Sequence, residues 1–295
     1  MPTTWLTPQL INRLEALQLS IKWVRAGHQL GGRFAINRRG SSVEFADHAP
    51  YSAGDDIRAI DWNLYARLDR LFIKTYKEEI ALSVEILIDA TPSMGSPTKA
   101  KFERAAQIAV SLGYVGLGDG HHVRAHWIRP GPRLVRSAWF HQRRDLPRMA
   151  DVISEGHLGG PIGLAEWTRR AALATRMHGG QALLLTDGMV RPADFFRALH
   201  ALMVRNIEVK VIQILTPQEL HPAAFARAGM LIDVESGASH QLAYPPAELE
   251  RAVAQHNEQL ARFCKRSGIP FAQHRLDEPL ETFITKTLPA RGFLE

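Results

Sequence analysis

From residue 83 onward, apolar runs of strand length alternate with amphipathic helical patterns, and this alternation constrains the fold more than any other feature of the sequence. Strands joined by helical crossovers pair in parallel and are covered on both faces, so the pattern predicts a doubly wound, mainly parallel α/β sheet. The expected strands are 83–89, 122–129, 181–187, 208–215 and 270–276. The expected helices are 98–117, 143–154, 163–178, 192–204, 246–266 and 279–288, with a hairpin insertion at 229–244.

The N-terminal segment, residues 1–80, carries a weaker pattern. An apolar stripe at 8–25 predicts a helix, and alternation at 70–78 predicts a strand. Small domains are marginally stable on their own, and strong apolar periodicity is scarce here. We therefore expect a helix and strand appendage that packs on a main domain of residues 81–295. The side chains expected to make that packing are Trp62, Leu64, Leu71 and Ile73.

Composition restricts the classes of function. No run of eighteen apolar residues is present, so no membrane span is expected, and the first twenty residues lack the pattern of a secretory signal. Cys264, the single cysteine, excludes internal disulfides and cysteine-based zinc clusters. The net charge is +6, but the basic residues are dispersed, so no specific nucleic-acid partner is expected. These properties predict a cytoplasmic globular protein.

Two of the predicted strands end in an aspartate. In VEILIDATPSMGS (84–96), Asp89 ends an apolar run, and Thr91 and Ser93 follow at alternate positions; Asp187 ends a later apolar run. Open parallel sheets bind ligands at the carboxyl ends of strands where the strand order reverses, and in the order 3-2-1-4-5-6 these two strands are neighbours. The set is all oxygen, which Mg2+ prefers. The alternative interpretation is structural, with Asp89 capping the next helix and the hydroxyls bonding to loop amides.

This Asp-x-Thr-x-Ser pattern resembles the metal-ion-dependent adhesion site of von Willebrand factor type A domains. Upstream, residues 40–79 are similar to the hallmark of one bacterial branch, domain of unknown function 58, and the resemblance covers nearly the whole chain. The resemblance implies a von Willebrand A-like fold at 81–295 and no established enzymatic activity. It also implies association with MoxR-type AAA ATPases, for which such proteins are thought to act as binding or chaperone-like partners.

The resemblance also implies a set of metal-site residues. The adhesion site takes a threonine from a middle loop, but here GGPIGLAEW (159–167) places Pro161 and Ile162 at that point, and Thr168 lies a helix turn further on. The implied site is therefore degenerate, with Mg2+ binding that is weak or absent. The positions that match the remaining motif are Asp89, Thr91, Ser93 and Asp187.

Two other functions are compatible with the sequence. A metal-dependent phosphohydrolase could use Asp89 as a nucleophile, but haloacid dehalogenase-type chemistry needs a second acid at the position of Thr91. A nucleic-acid-associated role would need a concentrated basic face. The non-catalytic interaction module, with a MoxR-type AAA ATPase as partner, is the function that we favour.

A third group of carboxylates lies upstream, in AGDDIRAID (53–61), which contains Asp55, Asp56 and Asp61. Clustered carboxylates can bind two metal ions for phosphoryl chemistry. An aspartate pair after glycine more often forms a turn and caps the next helix. We interpret these three residues as structural.

Overall fold

The computed structural model of the chain describes residues 5–21, 43–78, 81–96, 98–129, 135–159, 180–205, 207–222, 230–232, 239–241 and 245–295. The chain forms two compact units. The larger unit comprises Met1–Ile21 and Leu82–Glu295, and the smaller unit comprises Lys22–Ala81. Residues 1–21 fall in the larger unit, and the predicted division of the chain at residues 80 and 81 stays a prediction.

The first helix, α1 (Pro8–Leu14), is shorter than the sequence predicted. The apolar stripe suggested a helix over 8–25, but the chain leaves the helix after Leu14 and pairs with its own C-terminus. Gln18 donates its N–H to the carbonyl of Glu295 at 3.0 Å, and Glu295 donates in return at 2.9 Å. These long-range bonds replace the helical ones and fix the N-terminal residues to the larger unit.

The smaller unit is built on an antiparallel pair, β1 (Val43–Pro50) and β2 (Phe72–Glu78), with α2 (Trp62–Leu68) between them in sequence. Asp61 caps α2, since its Oδ1 accepts the N–H groups of Asn63 and Leu64 at 3.0 and 3.2 Å. Its Oδ2 lies 2.9 Å from His48 Nε2. Asp61 therefore joins β1 to the start of α2.

The other two upstream aspartates also bond to backbone groups. Asp55 accepts the N–H of Ser52 at 2.8 Å, and Asp56 accepts the N–H of Arg58 at 2.9 Å. These hydrogen bonds confirm the structural role that was expected of Asp55 and Asp56 in a turn and a helix cap.

The packing expected of Trp62, Leu64, Leu71 and Ile73 on residues 81–295 stays a prediction. Trp62 is 62% exposed and Leu71 is 37% exposed, while Leu64 and Ile73 are half-buried. The Trp62 ring makes an edge-to-face contact with a neighbour on the same helix, Tyr65, at 6.1 Å between centroids.

The strands of the larger unit are β3 (Ser83–Asp89), β4 (His122–Ile128), β5 (Val135–Arg136), β6 (Gly180–Thr186), β7 (Ile207–Leu215), β8 (Met230–Ile232), β9 (Ser239–Gln241) and β10 (Phe271–Arg275). Six of them form one sheet in the order β10-β7-β6-β3-β4-β5. Its pairs are parallel except for β5, which runs antiparallel to β4. The predicted doubly wound, mainly parallel α/β fold is therefore confirmed. A separate hairpin, β8 with β9, confirms the predicted insertion.

Helices pack on both faces of this sheet. The helices are α3 (Ala100–Gly118), α4 (Leu146–Ser154), α5 (Pro192–Met203), α6 (Pro217–Leu220) and α7 (Pro246–Arg266). Near the C-terminus, α8 (Leu280–Thr282) and α9 (Leu288–Ala290) are joined by a π-helical turn, Phe283–Thr287. The predicted helix 163–178 lies outside the described residues. Within the described part of the chain, every helix is too short or too polar to span a bilayer.

Gly113 lets α3 approach two of its neighbours closely. A Cβ atom there would lie 2.6 Å from Met149 Cε and 3.6 Å from Ile86 Cδ1, so glycine allows α3 to lie against both α4 and β3. On the opposite face, Phe195 and Leu199 of α5 are buried in a cluster with strand residues. The helix α3 is thus held close to β3, with its N-terminus beside the carboxyl end of that strand.

Candidate functional site

The two predicted aspartates lie side by side at the switch point of the sheet. β3 and β6 are adjacent and parallel, with Ile88 opposite Leu185, so Asp89 and Asp187 leave the sheet at the same edge. The strand order reverses here, because β4 lies on one side of β3 and β7 on the far side of β6. Each aspartate is 1% exposed. The prediction that these carboxylates share one end of the sheet is confirmed.

We call this group of residues the rim: Asp89, Thr91, Ser93, Thr186 and Asp187.

Asp89 organises the hydroxyl groups of the rim. Its Oδ1 accepts both the N–H and the hydroxyl of Thr91, at 3.0 and 2.6 Å. Its Oδ2 accepts the hydroxyl of Thr186 at 2.6 Å. Thr91 Oγ1 in turn lies 3.1 Å from the Oγ of Ser93, which is half-buried. Both oxygens of Asp89 are therefore engaged by protein donors, and Ser93 is the end of the chain of hydroxyls nearest to solvent.

Burial and a second negative charge shift the titration of Asp89. Removal from water disfavours the carboxylate, the charge of Asp187 repels it, and together they raise the pKa of Asp89 to about 6. The hydrogen bonds from Thr186 and Thr91 act in the opposite direction and do not compensate. An ionised Asp89 is therefore costly in this position.

Asp187 is paired with a cation that the sequence analysis did not identify. Its Oδ2 accepts a hydrogen bond from Lys101 Nζ at 2.9 Å, and its Oδ1 accepts the N–H of Met189 at 3.0 Å. Lys101 stands in the first turn of α3 and is 0% exposed. Its Nζ also contacts Glu219 Oε1.

The charge of Lys101 follows from these two carboxylates. Burial alone would lower the pKa of Lys101, but the negative charges of Asp187 and Glu219 outweigh it and raise that pKa above the ordinary value. Lys101 is thus an ammonium ion in the interior. The sequence carried one signal for it, since position 101 shares a helix face with the buried Ala105 and Ile108.

Glu219 is itself fixed by local backbone bonds. Thr216 and Glu219 form a capping box at α6: Thr216 Oγ1 accepts the N–H of Glu219 at 3.1 Å, and Glu219 Oε2 accepts the N–H of Thr216 at 2.8 Å. The Thr-x-x-Glu spacing directly after a predicted strand could have revealed this cap. Glu219 therefore reaches Lys101 from the loop that follows β7.

Polar side chains behind the rim hold the loop after β6. Gln213 on β7 donates to the carbonyl of Asp187 at 3.0 Å and to Asn257 Oδ1 at 2.8 Å. His256 on α7 contacts the carbonyl of Gly188 at 2.8 Å. Gly188 has φ of +70°, and a Cβ there would lie 2.9 Å from Leu260 Cδ1, so glycine is required by both backbone and packing. The rim is pre-organised by these contacts.

The donor set matches only part of a magnesium site. The separation of 3.1 Å between Thr91 Oγ1 and Ser93 Oγ is close to the ~3 Å between adjacent ligands of an octahedral Mg2+. Proteins usually hold Mg2+ through one or two carboxylates, however, and those of Asp89 and Asp187 already accept protein hydrogen bonds. The remaining ligands would be neutral hydroxyls, which do not fit a tight Mg2+ site.

Other observations bear on metal ligation. Among the described residues, no cluster of three or more histidine, cysteine, aspartate or glutamate side chains is placed to hold a metal ion. The middle-loop positions Pro161, Ile162 and Thr168 lie outside the described residues. Direct Mg2+ coordination by the four predicted residues therefore stays a prediction.

The hydrogen bonds at the rim bear on the phosphohydrolase alternative. A phosphatase nucleophile needs a free carboxylate oxygen and a nearby general acid. Both oxygens of Asp89 accept hydrogen bonds, and the neighbouring Asp187 is ion-paired with Lys101. Each of these carboxylates is thus already engaged by protein donors.

Comparisons with known proteins give a family and a set of relatives. The model of a family described as protein of unknown function DUF58 matches residues 47–259. An uncharacterised protein of Mycobacterium tuberculosis is 24% identical over 294 residues, which cover 96% of this chain and 90% of the relative. A protein of Mycobacterium bovis matches with the same identity and coverage.

Three solved structures are similar over most of the chain. The conserved hypothetical protein BatB of Bacteroides thetaiotaomicron is 14% identical with a TM-score of 0.41, covering 72% of this chain and 98% of BatB. An aerotolerance-related membrane protein of Bacteroides fragilis has the same identity and coverage and a TM-score of 0.45. A von Willebrand factor type A protein of Catenulispora acidiphila is 21% identical with a TM-score of 0.34, covering 64% of this chain and 44% of that protein.

Proposed function

The chain belongs to the family of proteins of unknown function DUF58, and on that premise we propose that it is a non-catalytic protein-interaction module. The rim is its docking surface. The observation that carries this proposal is the set of hydroxyl groups held in fixed orientations at the switch point by a buried carboxylate. Pre-organised polar groups bind a partner without first losing conformational entropy, which favours recognition.

The groups of the rim that a partner reaches are the hydroxyls rather than the carboxylates. Asp89 and Asp187 are buried, whereas Ser93 is half-buried. Because Thr91 donates its hydroxyl hydrogen to Asp89, Ser93 donates to Thr91 and keeps the lone pairs of its Oγ for a partner. An N–H or hydroxyl group of the partner would donate a hydrogen bond to Ser93 Oγ. The partner contact that we propose is therefore a hydrogen-bond donor placed over Ser93.

A role for Mg2+ at this surface would be secondary. The four residues that would form the metal site are Asp89, Thr91, Ser93 and Asp187. Thr91 and Ser93 would bind the ion directly, and Asp89 would orient them. With two neutral ligands the affinity is at most about millimolar, where binding contributes roughly 4 kcal/mol.

The partner that we propose is a MoxR-type AAA ATPase, in a chaperone-like or assembly role. This part of the proposal rests on the family resemblance of the sequence. An ATPase partner requires ATP, and we therefore place the complex in the cytoplasm.

A pull-down against a MoxR-type AAA ATPase of the same organism tests the proposal. Asp89→Ala should reduce capture because the hydroxyls of Thr91 and Thr186 lose their common acceptor. The matched control is Asp119→Asn, since Asp119 accepts a backbone hydrogen bond from Leu19 at the other end of α3, away from the rim. Thermal melts of both variants separate a binding defect from misfolding.

Two outcomes would overturn the proposal. Equal capture by the wild type and a folded Asp89→Ala variant would show that the rim is not the docking surface. Release of phosphate from a generic phosphomonoester by the purified protein, abolished by Asp89→Ala, would replace the interaction module by a phosphohydrolase.

A further inference from the structure

Lys101 is a cation in a position that ordinarily disfavours one. It lies in the first turn of α3, where the positive end of the helix dipole repels an ammonium group, and its side chain is 0% exposed. A buried ammonium is tolerated only when opposite charges and hydrogen bonds compensate for the lost hydration. The structure supplies two such partners, Asp187 at 2.9 Å and Glu219.

These two partners come from different parts of the sheet edge. Asp187 follows β6, and Glu219 belongs to the short helix α6 that follows β7. Lys101 therefore links three elements at the switch point: the start of α3, the loop after β6 and the short helix α6. A bound divalent ion at such an edge would make a comparable link between oxygen ligands from separate loops.

We infer that Lys101 is the resident cation of the rim and makes this docking surface independent of divalent metal. The ammonium neutralises Asp187, the carboxylate that would otherwise attract a metal ion, and it does so from inside the protein. The remaining carboxylate, Asp89, is committed to Thr91 and Thr186. This inference rests on the proposed function, because it concerns how the same surface is held ready for a partner.

Removing the charge of Lys101 should leave Asp187 without its counter-ion. Methionine is an unbranched apolar side chain that fits much of the volume of Lys101. In Lys101→Met, Glu219, with a side chain 21% exposed, can turn toward water, but Asp187 stays buried beside Asp89 without a counter-ion. A divalent ion would then be the available replacement for the missing charge.

The experiment measures the melting temperature and the Mg2+ affinity of the full chain by calorimetry, in EDTA and across a titration into millimolar MgCl2. The wild type should show the same melting temperature throughout. Lys101→Met should melt lower in EDTA, recover part of the loss with Mg2+, and bind Mg2+ at least about tenfold more tightly than the wild type.

Two further variants control for the fold and the charge. Lys101→Arg keeps a cation and should remain insensitive to Mg2+. The double variant Lys101→Met with Asp187→Asn removes both charges, so it should melt above Lys101→Met in EDTA and gain nothing from Mg2+. If Lys101→Met alone fails to fold, the insensitivity of the wild type and Lys101→Arg, together with a soluble double variant, supports the inference.

The inference is overturned by a saturable rise of the wild-type melting temperature with Mg2+. It is equally overturned if a folded Lys101→Met variant neither binds Mg2+ nor gains stability from it. These results are separate from the test of the proposed function, which fails when a folded Asp89→Ala variant captures the ATPase as well as the wild type does.

Discussion

Replacing Asp89 by asparagine should stabilise the protein at pH 8, although the change is made at the centre of the candidate site. The reason is the cost of the buried negative charge. Asp89 has a pKa of about 6 in the folded protein against an ordinary value of 3.8, so the folded state holds its proton more tightly than the unfolded state does. Above pH 6 the wild type must ionise this group in the folded state, and stability falls as pH rises from about 4 to about 6.

The size of the effect can be bounded from the structure. A difference of about two pKa units corresponds to roughly 3 kcal/mol of free energy of unfolding, which asparagine does not lose because it does not ionise. The asparagine carbonyl can still accept the bonds from Thr91. Its amide would face Thr186 Oγ1, which also accepts the N–H of Gly188, so the Thr186 hydroxyl hydrogen loses its acceptor at a cost of about 1 kcal/mol. The expected net gain at pH 8 is about 2 kcal/mol.

Urea denaturation of the wild type and of Asp89→Asn measures this gain directly. The pH values should run from about 4.5 to about 8, on both sides of the Asp89 pKa of about 6. The difference in free energy of unfolding should be largest at pH 8 and should shrink below pH 6, as the wild type becomes protonated. A variant that is less stable than the wild type at pH 8 would refute the reasoning. So would a difference that does not change with pH.

Three further predictions concern the rest of the fold. Asp61→Ala should destabilise the smaller unit, because it removes the cap of α2. The hydrogen bond with His48 lowers the pKa of Asp61 to about 2, so the stability that the Asp61 carboxylate contributes is present above about pH 4 and is lost as pH falls through about 2. Circular dichroism at low pH would show this loss. Lys210→Met should cost about 1–3 kcal/mol and speed amide exchange in the terminal residues, because the buried ammonium donates to the carbonyl of Gly292 at 3.0 Å. A chain starting at residue 82 should melt below the full chain or be insoluble, and equal melting temperatures would contradict this.

The sheet and the neighbouring aspartates could be predicted from the sequence because each depends on local pattern. Apolar runs at 83–89 and 181–187 indicate strands. Neighbouring parallel strands have their carboxyl ends at the same side of the sheet, so the proximity of the two aspartates follows without knowledge of any single contact. The all-oxygen character of Asp89, Thr91 and Ser93 is also visible in three nearby positions, and the structure joins them by direct hydrogen bonds.

The features that escaped prediction depend on residues far apart in the chain. The helix α1 ends at Leu14 because the following residues pair with the C-terminus. The apolar stripe at 8–25 does not predict that pairing. Lys101 forms ion pairs with Asp187, which is 86 residues away in the sequence, and with Glu219, which is 118 residues away. No periodicity encodes such contacts, since they arise only when the completed sheet brings the loops together.

The central claim is that the rim is a docking surface, and the most direct test is the affinity of the Ser93→Ala variant for the AAA ATPase. The change removes the one half-buried hydroxyl of the rim and leaves the buried network around Asp89 in place. The matched control is Ser154→Ala, which removes an exposed hydroxyl at the end of α4, bonded to the Asp151 carbonyl at 2.7 Å. We predict that Ser93→Ala weakens binding about tenfold, or ~1.4 kcal/mol, while Ser154→Ala binds as the wild type does. Equal dissociation constants for all three proteins would contradict the account.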